Sequence, residues 1–303
     1  MAGLSNPTTS IDLSRLPAPT VVEQLSYEAI LAGMVAKLQE LLPSFDATMD
    51  SDPAVKVLQV AAYRELLMRQ QFNDRALQLM LAYAEGSNLE QLAALFGVER
   101  LTLDPGDPAG GIDPVYETDD ALRARTQLAP ESFTVAGPEP AYVFHTLSAD
   151  ATIRDASATS PVPGQVLITI LSGVGDGTAS EDQLEAVRER LGVISGNKLR
   201  PLGDDVIVRS AEIVPYTIEA ELTLYSGPDE ALVRAASDDR VAAWLRTSGL
   251  LGGDATRFLI NRAIGVEGIQ NVRLISPPED VVVDRTQSAH CVGVNIRVAG
   301  LGD

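Results

Sequence analysis

One cysteine, two histidines and one tryptophan in 303 residues leave little material for several kinds of chemistry. A lone Cys291 excludes an internal disulfide and fits synthesis in a reducing cytosol. His145 and His290 lie far apart, and no CxxC or HExxH pattern supplies the three or four ligands a zinc ion needs, so no metal site is expected. Cys291 sits in an apparent strand followed by alternating valines, which predicts a buried or half-buried thiol and not an activated one. Aromatics at 5% are too sparse for the exposed platforms a glycan-binding module favours. No window approaches the ~18 apolar residues that would span a bilayer. The first residues, MAGLSNPTTSIDL, lack the basic-then-apolar order of a secretory signal. The expectation is a soluble protein, intracellular at synthesis, with no membrane insertion.

Positive charge is also scarce. Against 42 acidic residues stand 23 basic ones, for a net charge of −19, which disfavours nucleic acid unless cations gather on one face. The nearest concentrations, LRART at Leu122–Thr126 and RERL at Arg188–Leu191, lie among Asp119, Asp120, Glu181, Asp182, Glu185 and Glu189. They read as solvated helix faces.

What the chain does contain is ordinary globular material, 45% hydrophobic and 21% charged, long enough for more than one core. The spacing of Val22, Leu25, Leu31, Met34, Val35 and Leu38 predicts a helix that Pro43 ends. Asp52 and Pro53 open a long second helix, with Val57, Val60, Ala61, Leu67, Met68, Phe72, Ala76, Leu79 and Met80 at three- and four-residue steps and Gly86 as its end. A short third helix is expected from Asn88 as cap to Gly97 as stop. Leu103–Pro114, LDPGDPAGGIDP, reads as a linker, with two connecting helices after it.

Strands dominate from about Thr152. VLITIL is an apolar strand, EDQLEAVRERL a helix, and YTIEAELTL alternates Tyr216, Ile218, Ala220, Leu222 and Leu224 against Thr217, Glu219, Glu221 and Thr223. Two helices, the second ending near Ile264 and the first carrying core-facing Trp244, precede IQNVRLI, VVV and CVGVNIRV. The fold class expected is α+β. Residues 1–100 form a helical region, 101–148 a linker with connecting helices, 149–210 a middle α+β domain and 211–303 a C-terminal one.

Gly164–Leu191 has the strand, glycine-rich turn and helix order of a phosphate cradle. Yet Gly173, Gly175 and Gly177 give G-x-G-x-G, one residue short of the dinucleotide fingerprint, and no GK[ST] follows. Asp176, Glu181 and Asp182 crowd the helix start and would repel phosphate. A nucleotide- or small-molecule-binding enzyme built on Gly173–Gly177 remains the alternative reading. There is no G-x-S-x-G, and Glu219 and Glu221 are two residues apart on an outward strand face, so no catalytic residue, cofactor or metal ligand is assigned.

Read in order, several segments resemble the baseplate J family of contractile phage tails and related injection machines. They are GSNLEQLAALFGVER (Gly86–Arg100), YETDDALRART (Tyr116–Thr126), AGPEPAYVFHTLSAD with Gly137 and Tyr142, and the run from Ile153 through the glycine loop to Leu191. RPLGDDVIV, VPYTIEAELTL and GVEGIQNVRLISPPED follow in the same order. The resemblance implies a non-enzymatic wedge component that associates with itself, with a wedge protein of the tail protein I type, with a lysozyme-like wedge protein and with other tail components. These close a six-fold ring around hub and tube, with assembly in the bacterial cytoplasm and residence in the tail baseplate. It also implies that the glycine loop is a connection within a structural domain. The long second helix has apolar positions on more than one side, so it is expected to need partners beyond its own neighbours.

Overall fold

A computed structural model describes residues 11–302 except 12, 14, 15, 18, 20–24, 47, 48, 50, 108, 135, 194–198, 202 and 228; Val22 of the first helix stripe lies outside the described residues. The chain divides into two compact units, Asp12–Leu95 and a larger one spanning Phe96–Asp303.

In the smaller unit α1 (Tyr27–Leu41) starts at Ser26, whose Oγ accepts the Ala29 amide at 3.2 Å, and stops ahead of Pro43. α2 (Pro53–Leu77) starts as expected, with Asp52 accepting the Ala54 amide at 2.7 Å and proline in the first helical position. It ends well before Gly86. The cause is Gln78, whose side chain donates to the Tyr83 carbonyl at 3.1 Å and accepts from the Glu85 amide at 2.9 Å, folding the chain into turns. α3 (Gly86–Ala94) follows with Glu85 at its cap position. Asn88, expected to cap it, lies inside the helix and donates to Gln78 Oε1 at 3.2 Å. Ala84, Leu89 and Ala93 are fully buried.

The larger unit opens with β1 (Thr102–Asp104) and β2 (Val115–Tyr116), an antiparallel ribbon closed by an Asp107–Ile112 bridge. The stretch read as a linker is therefore an ordered ribbon within this unit. Thr118 caps α4 (Asp119–Leu128), and a 3-10 turn at Ala129–Phe133 leads to α5 (Glu139–Leu147), which starts at Pro138 and Pro140. Residues Ala141–Leu147 are all buried, so α5 is a core helix.

β3 (Ile153–Thr159) and β4 (Gln165–Ser172) form an antiparallel hairpin; α6 (Glu181–Arg190) crosses back so that β5 (Asp205–Ser210) lies parallel to β4, in the order β3-β4-β5. Only Ala211 separates β5 from β6 (Glu212–Tyr225). After α7 (Glu230–Thr247) and α8 (Arg257–Ile264) come β7 (Ile269–Ser276) and β8 (Gln287–Gly302), in a second sheet ordered β7-β6-β8. The fold is α+β.

β6 is the central strand, and its alternation is the one the sequence predicts. Tyr216, Ile218, Ala220, Leu222 and Leu224 are buried with Val233, Val241, Ile260 and Ile264, and Trp244 packs on the same core. Val281–Val283 does not form a strand; a single bridge joins Val281 to Ala255. β8 also departs from its expected pattern. Tyr216 pairs with Cys291 and Thr217 with Gly293, which leaves Val292 on a bulge, and Val292 and Val294 are exposed.

The two sheets are clasped by polar contacts. The fully buried Asp155 carboxylate accepts the Leu251 amide at 3.0 Å, and Arg154 donates to the Arg246 and Ser248 carbonyls at 3.0 and 2.6 Å. Ser157 donates to the Arg285 carbonyl at 2.5 Å, and Arg285 pairs with Glu139. Leu171, Ala211, Ile213 and Leu251 fill the space between.

Candidate functional site

The glycine loop follows β4 and borders an open cleft of about 160 Å³, lined among others by Arg154, Asp176, Tyr216, Ser248, His290 and Cys291. Its hydrogen-bonding groups are largely committed within the protein. Gly173 N–H donates to the Thr152 carbonyl at 2.7 Å, Val174 N–H to Ser172 Oγ at 3.1 Å and Thr178 N–H to Asp176 at 2.9 Å. At the start of α6, Ala179 N–H donates to Ser210 Oγ at 2.8 Å, and Ser180 and Gln183 close a reciprocal capping box at 3.3 and 2.9 Å. The Gln183 amide then donates to Thr152 Oγ1 and Ser172 Oγ at 2.6 and 3.1 Å, tying the helix start to the strands.

Packing accounts for Gly177. A Cβ there would sit 2.8 Å from Leu171 Cδ1 and 3.2 Å from Ile213 Cδ1, on a backbone with φ of +103°. Gly175 faces open space, and its φ of +68° alone explains it. These glycines let a turn lie tightly on a small apolar cluster, and α6 starts at a Ser180 cap with Glu181 and Asp182 in its first turn.

Burial pushes the Cys291 thiol and the Tyr216 phenol up, away from ionisation, and Cys291 packs on the core of the second sheet. The Thr178 amide and hydroxyl hold the Asp176 carboxyl below its usual range, with a smaller contribution from His290. His145 lies elsewhere, buried in α5 edge-on to Phe144; burial first, and then the Arg190 guanidinium, depress it to about 4. Among the described residues no three His, Cys, Asp or Glu side chains gather to hold a metal ion. No helix among them is long and apolar enough to cross a membrane.

A second feature brings together two segments distant in sequence. Arg125 on α4 pairs with Glu117 out of solvent, donates to the Glu99 carbonyl at 2.6 Å and reaches Ser148 Oγ at 3.3 Å. Glu117 also accepts the Leu101 amide at 2.9 Å, while Arg100 donates to the Glu117 carbonyl at 2.7 Å and to Asp119 at 2.6 Å. Arg123 is buried too, bonded to Asp120 at 2.7 Å. The solvated-face reading of Leu122–Thr126 is thus overturned, because acids from the preceding loop and turn fold over the helix and satisfy its arginines. The sequence signal was an Arg-x-Arg behind a run of acids; what it lacked was the fold that makes them meet.

The third feature is α2. Val55, Ala62 and Asn73, which share one side of the helix, are its buried residues. Val57 and Met68 fall on the opposite side and Phe72 on its flank, with Met68 70% exposed. Among the described residues α2 thus leaves large apolar side chains exposed away from its buried side.

Comparison with known proteins gives two domain matches. Residues 50–107 match the Baseplate J-like N-terminal domain and residues 134–210 the Baseplate J-like central domain. The first match takes in α2, α3 and β1, and the second runs from just after the 3-10 turn to the end of β5. Baseplate protein J of Escherichia phage P2 is 41% identical over 300 residues, covering 96% of this chain and 98% of that protein, which brings in the second sheet as well. A chain of the anti-feeding prophage baseplate, in a 6-fold symmetrised cryo-EM structure, is similar over 61% of this chain and 43% of that chain, with 11% identity and a TM-score of 0.41. With 41% identity along almost its whole length to a baseplate protein J, and two domain matches in the expected order, this chain belongs to the baseplate J family of baseplate proteins.

Proposed function

We propose that this chain is a structural wedge protein of a contractile tail. It assembles with copies of itself, with wedge proteins of the tail protein I and lysozyme-like types and with other tail components into a ring around hub and tube. It acts through shape and docking surfaces, not through a reaction. Assembly takes place in the bacterial cytoplasm and the finished position is the tail baseplate. Within the chain, residues 1–100 supply the helical docking region, 101–148 the connection, and 149–210 and 211–303 the two α+β modules.

The observation that carries this reading is the set of large apolar side chains that α2 leaves exposed. Val57, Met68 and Phe72 stand exposed on a helix already packed through another side, and exposed apolar side chains of that size are found at protein–protein contacts. Co-expression with the neighbouring tail proteins, followed by affinity purification, tests it. The intact chain retains its wedge partners, and Met68→Glu with Phe72→Glu loses them while staying folded. Full retention by that variant would refute the role given to α2.

A further inference from the structure

Proteins keep exposed strand edges from pairing with strangers by making them short, charged, proline-flanked or covered. In this chain β5 is a six-residue edge carrying Asp205 and Arg209, and β7 is an eight-residue edge carrying Arg273 and ending at Pro277. β3 is largely buried. β8 differs from all three. It runs sixteen residues along β6, and on its outer side a single bridge, Leu251 to Ser288, is its only pairing among the described residues. From Cys291 to Gly302 it has no lysine and no proline. Its one charge, Arg297, is drawn at 2.6 Å to Glu221 on β6, a carboxylate held low by that bond and by Arg273. Val294 is 42% and Leu301 66% exposed on this edge strand.

The register with β6 decides which side chains share a face. Val294, Ile296 and Val298 pair with Ile218, Ala220 and Leu222 on the core side; Gly293, Asn295 and Arg297 pair with Thr217, Glu219 and Glu221 on the other. This pattern is self-complementary about Ile296. If two copies of β8 run antiparallel with a two-fold axis at Ile296, Val294 lies opposite Val298 of the second copy and Ile296 opposite its own mate. Asn295 then faces Arg297 of the second copy, so no like charges oppose. Moving the axis to Arg297 would set that cation against itself. The register with β6 breaks at Val292 and again at Ala299, so the regular pairing about Ile296 runs from Val294 to Val298.

We propose that the β8 edge is where two copies of this chain meet, their β8 strands pairing antiparallel about Ile296 into one six-stranded sheet. This names a surface for the self-association put forward above and rests on that reading. The pairing satisfies the outward amides and carbonyls of both strands and takes Val294 and Val298 out of water.

The test uses the full chain. Light scattering or sedimentation is expected to give a species near twice 32.2 kDa, and Val294→Lys to return it to 32.2 kDa without loss of folded signal. In a Cys291→Ser background, Asn295→Cys combined with Arg297→Cys is expected to form an interchain disulfide on mild oxidation. A Val294→Lys chain that stays dimeric and gives no cross-link overturns the proposal and leaves wedge assembly standing, with another surface responsible. A monomeric Val294→Lys chain without the cross-link overturns the stated register. A wild-type chain that is monomeric at every concentration overturns the proposal and the self-association it rests on, whereas continued capture of other wedge proteins by that monomer would preserve the rest of the functional reading.

Discussion

Arg125 on α4 and Glu117, just before that helix, form an ion pair with both side chains out of solvent, and the same guanidinium holds the Glu99 carbonyl at 2.6 Å. The pair therefore fastens the segment that leaves the N-terminal helices to the first helix of the larger unit's core.

Removing one partner of such a pair leaves the other charge buried and unmatched. Arg125→Met is expected to lower stability by ~3–5 kcal/mol in denaturant titration, and Glu117→Leu by a similar amount. The double variant should lose less than the sum, because it leaves no orphan charge. Equal, additive and small losses would mean that water already solvates the pair.

His145 gives a pH signature. Its folded-state pKa, about 4, lies below the 6.5 of an unfolded chain, so the unfolded chain binds more protons between those values. The contribution is therefore fully present above pH 6.5 and is lost as pH falls towards 4, with a slope of at most about 1.4 kcal/mol per unit for one proton. His145→Leu should flatten the stability profile in that window while the acidic limb below it persists. An unchanged slope would show that His145 is not the group responsible.

Much of the larger unit was legible because its signals are local. β6 alternates through Leu224, and both flanking faces are set by that alternation. The capping pair at Asp52 and Pro53 and the order of strands and helices after Ile153 are equally short-range. What could not be read depends on distant residues. α2 stops at Leu77 because the Gln78 side chain captures Tyr83 and Glu85, an event no periodicity encodes. Arg123 and Arg125 look like surface cations until Glu117 and Asp120 close on them. In β8 the bulge at Val292 breaks the ladder where alternation alone continues it. The acids and spacing of the glycine loop argue against a phosphate cradle, but the reason for Gly177 lies in Leu171 and Ile213, and only the packed structure brings Ile213 to it.

The two loop glycines separate a packing role from a ligand-binding one. Gly175→Ala meets no neighbour within 4 Å and is expected to cost only the ~1–2 kcal/mol of a left-handed backbone. Gly177→Ala adds a clash at 2.8 Å with Leu171 and should cost more, with a visible fall in melting temperature. Calorimetry with ATP, GTP and NAD on the wild-type chain should show no saturable heat. Saturable binding abolished by Gly175→Ala would instead restore the phosphate-cradle reading.

Asp155 tests whether the two sheets behave as one body. Its carboxylate is fully buried, accepts the Leu251 amide at 3.0 Å and stands on β3, while Leu251 belongs to the segment between α7 and α8. Asp155→Ala leaves that amide buried without its acceptor, a change worth ~1–3 kcal/mol. Asp155→Asn keeps an acceptor of the same shape and should recover part of the loss. The more specific measurement is hydrogen exchange at Leu251 and its neighbours. If the clasp holds the sheets together, these amides exchange in the wild type only with global unfolding, and in Asp155→Ala they exchange faster than the rest of the core. Uniform acceleration across the whole unit would mean that Asp155 supports general stability and that Arg154, Ser157 and Arg285 hold the joint without it.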